Sequence, residues 1–137
     1  MKHIAHPYKK VGRLNWTVSK EAHVKAADIY ISENQITHIK NVHGKQLNSL
    51  GIDAITFVEM VCGSFNQIRK GSKESLLLVI YDNKLSSVIA ISLNYSIEKE
   101  FWEVKTAEPR RRKTVEKSAL VWTAAKHTVS GNGNRPN

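Results

Sequence analysis

The sequence predicts an α+β domain, on three observations. Residues 53–70 carry the pattern of one long amphipathic helix: Ala54, Val58, Val61, Cys62, Phe65 and Ile68 recur at spacings of three and four. Residues 75–81, 87–95 and 101–106 are β-type segments separated by turn-length connections, which suits an antiparallel meander. The chain has 137 residues, 41% hydrophobic and 24% charged, the balance of one globular domain with an ordinary core.

In chain order, residues 1–16 read as a basic N-terminal arm, with His3, His6, Lys9, Lys10 and Arg13 and no clear period. Ser19 is a candidate N-cap for a short helix to about Ala27, with Glu21 placed where the helix dipole favours a carboxylate. Ile29-Tyr30-Ile31 is a β-prone trio, Glu33-Asn34-Gln35 a turn, and residues 36–40 a second short strand. Residues 45–50 suit a helical turn ended by Gly51.

Asp53 can cap the main helix, Arg69 and Lys70 suit its C-terminal end, and Gly71 its stop. The run 75–81 is continuously apolar, as in a strand covered on both faces. Asp82-Asn83-Lys84 supplies turn chemistry, and Pro109 is expected to end the last strand. Residues 114–127 show a moderate helical stripe through Val115, Ala119 and Trp122. The domain thus spans 17–127, followed by a glycine-rich tail, 128–137, expected to be flexible. Val58, Val61, Phe65, Leu77, Val79, Ile89 and Ile91 are expected to be buried between the main helix and the sheet.

A net charge of +9 and a pI near 9.8 favour a polyanionic partner: nucleic acid, an acidic protein or an anionic membrane surface. No apolar run approaches the roughly 18 residues of a membrane span, and residues 1–7 lack the apolar stretch of a signal peptide. The single cysteine, Cys62, makes no intramolecular disulfide or cysteine-rich zinc site, and falls on the buried helical stripe. The composition fits action in a reducing cytosol.

Two polar concentrations carry chemistry. The first runs from Ile36 to Lys45 and holds His38, His43 and Lys45; His43 is placed just past a strand end, before Gly44. An imidazole beside an ammonium suits proton transfer next to a phosphate. The second runs from Lys105 to Lys113. There Thr106 offers a neutral donor, and Lys105, Arg110 and Arg111 offer cations to phosphate oxygens. Arg69 is a further candidate phosphate contact. Phosphate-cradling glycine loops and H-E-x-x-H are absent, and the histidines lack the carboxylate or cysteine company of a metal site; no metal or cofactor is expected. These residue types suit metal-free phosphodiester cleavage of RNA, in which a base takes the 2′-hydroxyl proton, an acid protonates the leaving 5′-oxygen and cations stabilise the phosphorane. The alternative is a non-catalytic basic domain that binds RNA or protein. Trp16, Trp102 and Trp122 do not form an aromatic RNA-recognition motif, which counts against it.

The order of these motifs resembles the barnase–EndoU–colicin–RelE-like ribonuclease superfamily. The resemblance rests on Ile36-Thr37-His38-Ile39 running to His43-Gly44-Lys45, a helix with Phe57-Val58, and a strand ending in Trp102-Glu103-Val104-Lys105-Thr106. It covers about residues 20–125 and implies helices on one face of a small twisted antiparallel sheet, with RNA across the other. It implies the toxin module of a contact-dependent inhibition or other polymorphic toxin system, a metal-independent endoribonuclease cleaving RNA, in the first place transfer RNA. A dedicated acidic immunity protein, and in some cases a translation factor, are the partners it implies. The module would be the C-terminal part of a larger secreted or surface protein, delivered to the target-cell cytoplasm. By this resemblance His43 matches the early catalytic histidine and Thr106 the late threonine, with Lys45 and His38 assisting. Arg69, Lys105, Arg110 and Arg111 contact phosphate, and no glutamate is placed as a general base.

Overall fold

The computed structural model describes residues 8–49 and 51–124. The first element is a strand, β1 (Tyr8–Leu14), where the sequence suggested a loose arm. Its apolar positions, Val11 and Leu14, do not alternate because the register with the next strand shifts between Lys10 and Gly12. Residues 1–7 and 125–137, including the expected flexible tail, lie outside the described residues.

Helix α1 (Trp16–Ala22) starts earlier than expected. Asn15, not Ser19, is its cap: the Asn15 side chain accepts from Val18 N–H at 2.9 Å. Ser19 is buried instead. Strand β2 (Ala27–Ser32) buries Ile29 and Ile31 by simple alternation.

The largest departure follows. Residues 33–49 form one helix, α2 (Glu33–Ser49), in place of a turn, a short strand and a loop. Ile36, Ile39, His43 and Leu47 fall at spacings of three and four, and Ile39 and Leu47 are buried. That stripe outweighs the β-branched trend of Ile36 and Thr37.

Helix α3 (Ala54–Ser64) is capped as expected, with Thr56 N–H donating to Asp53 Oδ1 at 2.8 Å; these backbone bonds hold the Asp53 carboxyl below its usual range. It ends sooner than the periodicity suggested. Phe65 turns extended, and residues 67–70 become strand β3 (Gln67–Lys70), so Arg69 and Lys70 are not at a helix end. Strands β4 (Leu76–Ile80), β5 (Ser87–Ser96) and β6 (Phe101–Arg111) form the antiparallel meander.

Strand β6 runs through Pro109 rather than ending before it. Strand β2 pairs with it only at Ile29↔Trp102 and Tyr30↔Glu103. The far half of β6 therefore has a strand on one side only, where a residue without N–H is tolerated. The expected C-terminal helix is a short α4 (Arg112–Glu116) followed by strand β7 (Leu120–Thr123), which pairs with β3. Trp122 is drawn into the core there, edge-on to Phe65.

Among the described residues the result is an α+β fold: one open sheet in the order β1-β2-β6-β5-β4-β3-β7, larger than expected and with a single parallel pairing, β2 with β6. The main core joins α1, α2 and α3 to one sheet face through Ala22, Ile39, Leu47, Phe57, Val58 and Val61. Leu77 and Val79 belong to a second, smaller cluster with Val88, Ala90 and Val115 of α4, so β4 is covered on both sides. Phe65 and Ile89 are only partly buried. Among the described residues no helix is long and apolar enough to cross a membrane.

One close approach fixes β1 against α3. A Cβ on Gly12 would stand 2.6 Å from the Cβ of Cys62. Burial around Cys62 pushes its thiol up to about 12, so it packs as a small apolar group. Gly12→Ala is expected to destabilise the protein by about 1–3 kcal/mol through overpacking, read as a lower midpoint in urea unfolding. An unchanged midpoint would mean that β1 can shift away from α3 freely.

Candidate active site

On β6, the residue after Val104 breaks the alternation. The register with β5 shifts so that Val104 faces Leu93 and Thr106 faces Ser92, leaving Lys105 as the extra residue of a bulge. Beyond the bulge Ala107 points into the main core, and Thr106, Glu108 and Arg110 line up on the opposite face. Without the extra residue Thr106 would share the face of Val104.

Helix α2 lies beside this same stretch, packing on β6 after β2 has ended. His43 sits between the buried Ile39 and Leu47 along the helix, so its ring is turned toward the strand. Its Nε2 lies 3.2 Å from Glu108 Oε1. An ionised carboxylate only accepts, so the imidazole N–H is the donor. The other oxygen, Oε2, faces Arg110 Nε at 3.5 Å, a charge contact; Nε is buried and makes no hydrogen bond. Arg110 Nη2 in turn donates to Thr106 Oγ1 at 3.4 Å. The four groups form one connected row: imidazole, carboxylate, guanidinium, hydroxyl.

The side chains of His43, Glu108 and Arg110 are 21%, 34% and 27% exposed. They are therefore fixed by neighbours yet open to an incoming oxygen. A carboxylate touching an imidazole offers an acceptor and a donor in one place, the equipment of acid–base catalysis. Arg110 adds a fixed planar cation and Thr106 a neutral donor. Among the described residues no three His, Cys, Asp or Glu side chains form a metal-binding group.

The structure gathers His43, Thr106 and Arg110 and leaves other candidates elsewhere. His38 and Lys45 are both exposed, turned by about 140° and 160° from His43 at 3.6 residues per turn. Placed on a helix rather than a loop, they cannot converge with it. Arg69 is buried on β3, where Nε donates to Gln67 Oε1 at 2.9 Å and Nη1 to Ser118 O at 2.7 Å; it braces the β3–β7 edge. Lys105, on the bulge, makes a 3.5 Å contact with Glu103 Oε2. Arg111 is exposed at the strand end.

Glu108 was the residue missed. Its signal lay in the spacing of Thr106, Glu108 and Arg110, which share a face only if the strand continues through Pro109. Comparison with protein-family models, curated proteins and solved structures finds no match to this chain.

Proposed function

We propose that the chain is a metal-independent endoribonuclease, similar in plan to the barnase–EndoU–colicin–RelE-like toxins, with His43 and Glu108 as its proton-transfer pair. The observation that carries this reading is the 3.2 Å contact between them, continued through Arg110 to Thr106. Glu108, an acceptor between the His43 imidazole and the Arg110 cation, takes the proton of the ribose 2′-hydroxyl as its oxygen attacks phosphorus. His43 delivers a proton to the 5′-oxygen as the P–O5′ bond breaks. The products are a 2′,3′-cyclic phosphate and a 5′-hydroxyl, and proton exchange with water resets the pair. Arg110 and Thr106 donate to the non-bridging oxygens as charge grows on them. In this reading Glu108 takes the part beside His43 that the resemblance gave to Lys45 and His38.

The face that bears this row supports RNA as the substrate. Across it, Lys10, Tyr30, Glu103 and Asn94 stand in one register on four strands, with α1 and α3 on the other face, α2 beside β6, and α4 covering the β4–β5 part of this face through Val115. The overall charge of +9 adds long-range attraction for a polyanion. Transfer RNA as the specific substrate, and an acidic immunity protein seated over the row, follow from the resemblance and the same charge. A translation factor is a further partner only on the resemblance.

The test is incubation of purified protein with total RNA in EDTA, followed by analysis of the fragment ends. Cleavage that survives chelation and leaves 2′,3′-cyclic phosphate and 5′-hydroxyl ends is expected. Cleavage abolished by EDTA would overturn the metal-free scheme, and binding without any cleavage would favour the non-catalytic basic domain.

A further inference from the structure

At the end of the β5–β6 pair, where Ser87 faces Arg111 in register, the chain turns into α4 and encloses a pocket of about 460 Å³. Ser86, Ser87, Arg111, Arg112, Lys113 and Lys117 line it, and no acidic side chain does. Lys113 and Lys117 are one helical turn apart, a like-charge spacing that costs stability. Both are exposed, as is Arg111, and none of the three has a carboxylate partner among the described residues.

The one carboxylate on α4 is already committed. Glu116 bonds the Tyr81 hydroxyl and accepts from Arg112 Nη1 at 2.8 Å, and these two partners, Tyr81 first, hold its carboxyl below the usual range. Arg112 is anchored as well: its Nε donates to Leu85 O at 2.8 Å and its backbone N–H to Ser86 O at 2.8 Å. Three uncompensated cations and two exposed serines therefore line one concavity, with Arg112 tying α4 to Leu85 and Ser86 on its other side. Self-repulsion of that kind is relieved by a bound anion.

We infer that this pocket holds a backbone phosphate of the same RNA strand, at a position remote from the scissile bond. The inference rests on the ribonuclease reading for its ligand. Arg111 is three strand residues beyond Glu108, about 10 Å at about 3.3 Å per residue, and its side chain leaves the opposite face, so an RNA strand reaches the pocket by rounding the end of the β5–β6 pair. The pocket thus takes a phosphate more than one nucleotide away from the scissile bond. The pocket therefore selects for chain length rather than base identity, because phosphate contacts carry no sequence information.

The experiment measures binding of 2′-O-methyl oligoribonucleotides, which lack the attacking hydroxyl, by fluorescence anisotropy over a range of salt. Wild type is compared with Lys113→Gln/Lys117→Gln and with a charge-matched control, Lys20→Gln/Lys40→Gln, on exposed faces of α1 and α2. For an octanucleotide the pocket variant is expected to bind more weakly, with a salt slope shallower by about 0.7 per lysine removed. For a dinucleotide, which carries one phosphate, its affinity is expected to match wild type. An equal loss in the control pair would overturn the pocket, since net charge alone would then explain the effect. Equal affinity of the pocket for inorganic pyrophosphate and for the octanucleotide would overturn RNA as its ligand. No step requires cleavage, so failure of the ribonuclease reading shows separately, as wild type that binds these oligonucleotides but cuts no RNA.

Discussion

Replacing His43 by alanine is expected to lower RNA cleavage by about 10²–10⁴, the usual contribution of a positioned acid or base. Glu108→Gln should fall in the same range, because the amide keeps the shape and loses the acceptor charge. The two roles separate on a substrate with a good leaving group, uridine 3′-(4-nitrophenyl phosphate). That leaving group needs no acid, so His43→Ala should recover most of its activity on it. Glu108→Gln should not, since the 2′-hydroxyl must still lose its proton. The reverse pattern would exchange the assignments, and wild-type rates in both variants would remove the pair from the chemistry. His38→Ala and Lys45→Ala are the natural comparison: both residues are exposed on the outer faces of α2 and should retain most of the rate.

The second large effect concerns the core. Val61 is fully buried within the main cluster, where α3 packs on the sheet. Val61→Asp would place an unpaired charge there, at a cost of about 3–5 kcal/mol, judged from buried charges left without a partner. Against a total stability of about 5–15 kcal/mol for a domain, that is a large share. Thermal unfolding followed by circular dichroism should show a strongly lowered midpoint or no folded baseline. A variant as stable as wild type would mean that this face of α3 is not packed as described.

Much of the fold was legible because some segments agree at every level. Asp53 caps a strongly periodic helix, and strands β4, β5 and β6 are separated by turn-length connections. The failures share a cause: local pattern and tertiary contact pointed different ways. Ile36-Thr37-His38-Ile39 alternates like a strand, yet Ile36, Ile39 and Leu47 can all reach the core only from a helix. Phe65 and Ile68 continue the period of α3, but the chain turns at Phe65, and Gln67–Lys70 is taken into the sheet between β4 and β7. The same conflict hid one of the four members of the row. His43, Thr106 and Arg110 stood out by chemistry, whereas Glu108 was concealed by the proline after it, whose breaking tendency is harmless beside an unpaired edge.

The parallel pairing of β2 with β6 has a bearing on how the proposed activity would arise. Residues 8–49 supply β1, α1, β2 and α2, a first unit in chain order only, and β6 is made much later in the chain; His43 and Glu108 are 65 residues apart. Contacts of such sequence separation form late, after the loop-closure entropy has been met. A nascent or partly unfolded chain can thus hold an intact helix α2 and an intact β5–β6 ribbon and still be chemically inert. Catalytic competence would be a property of the last docking event, and anything that keeps the first unit apart from the ribbon would silence the protein without touching a single reacting group.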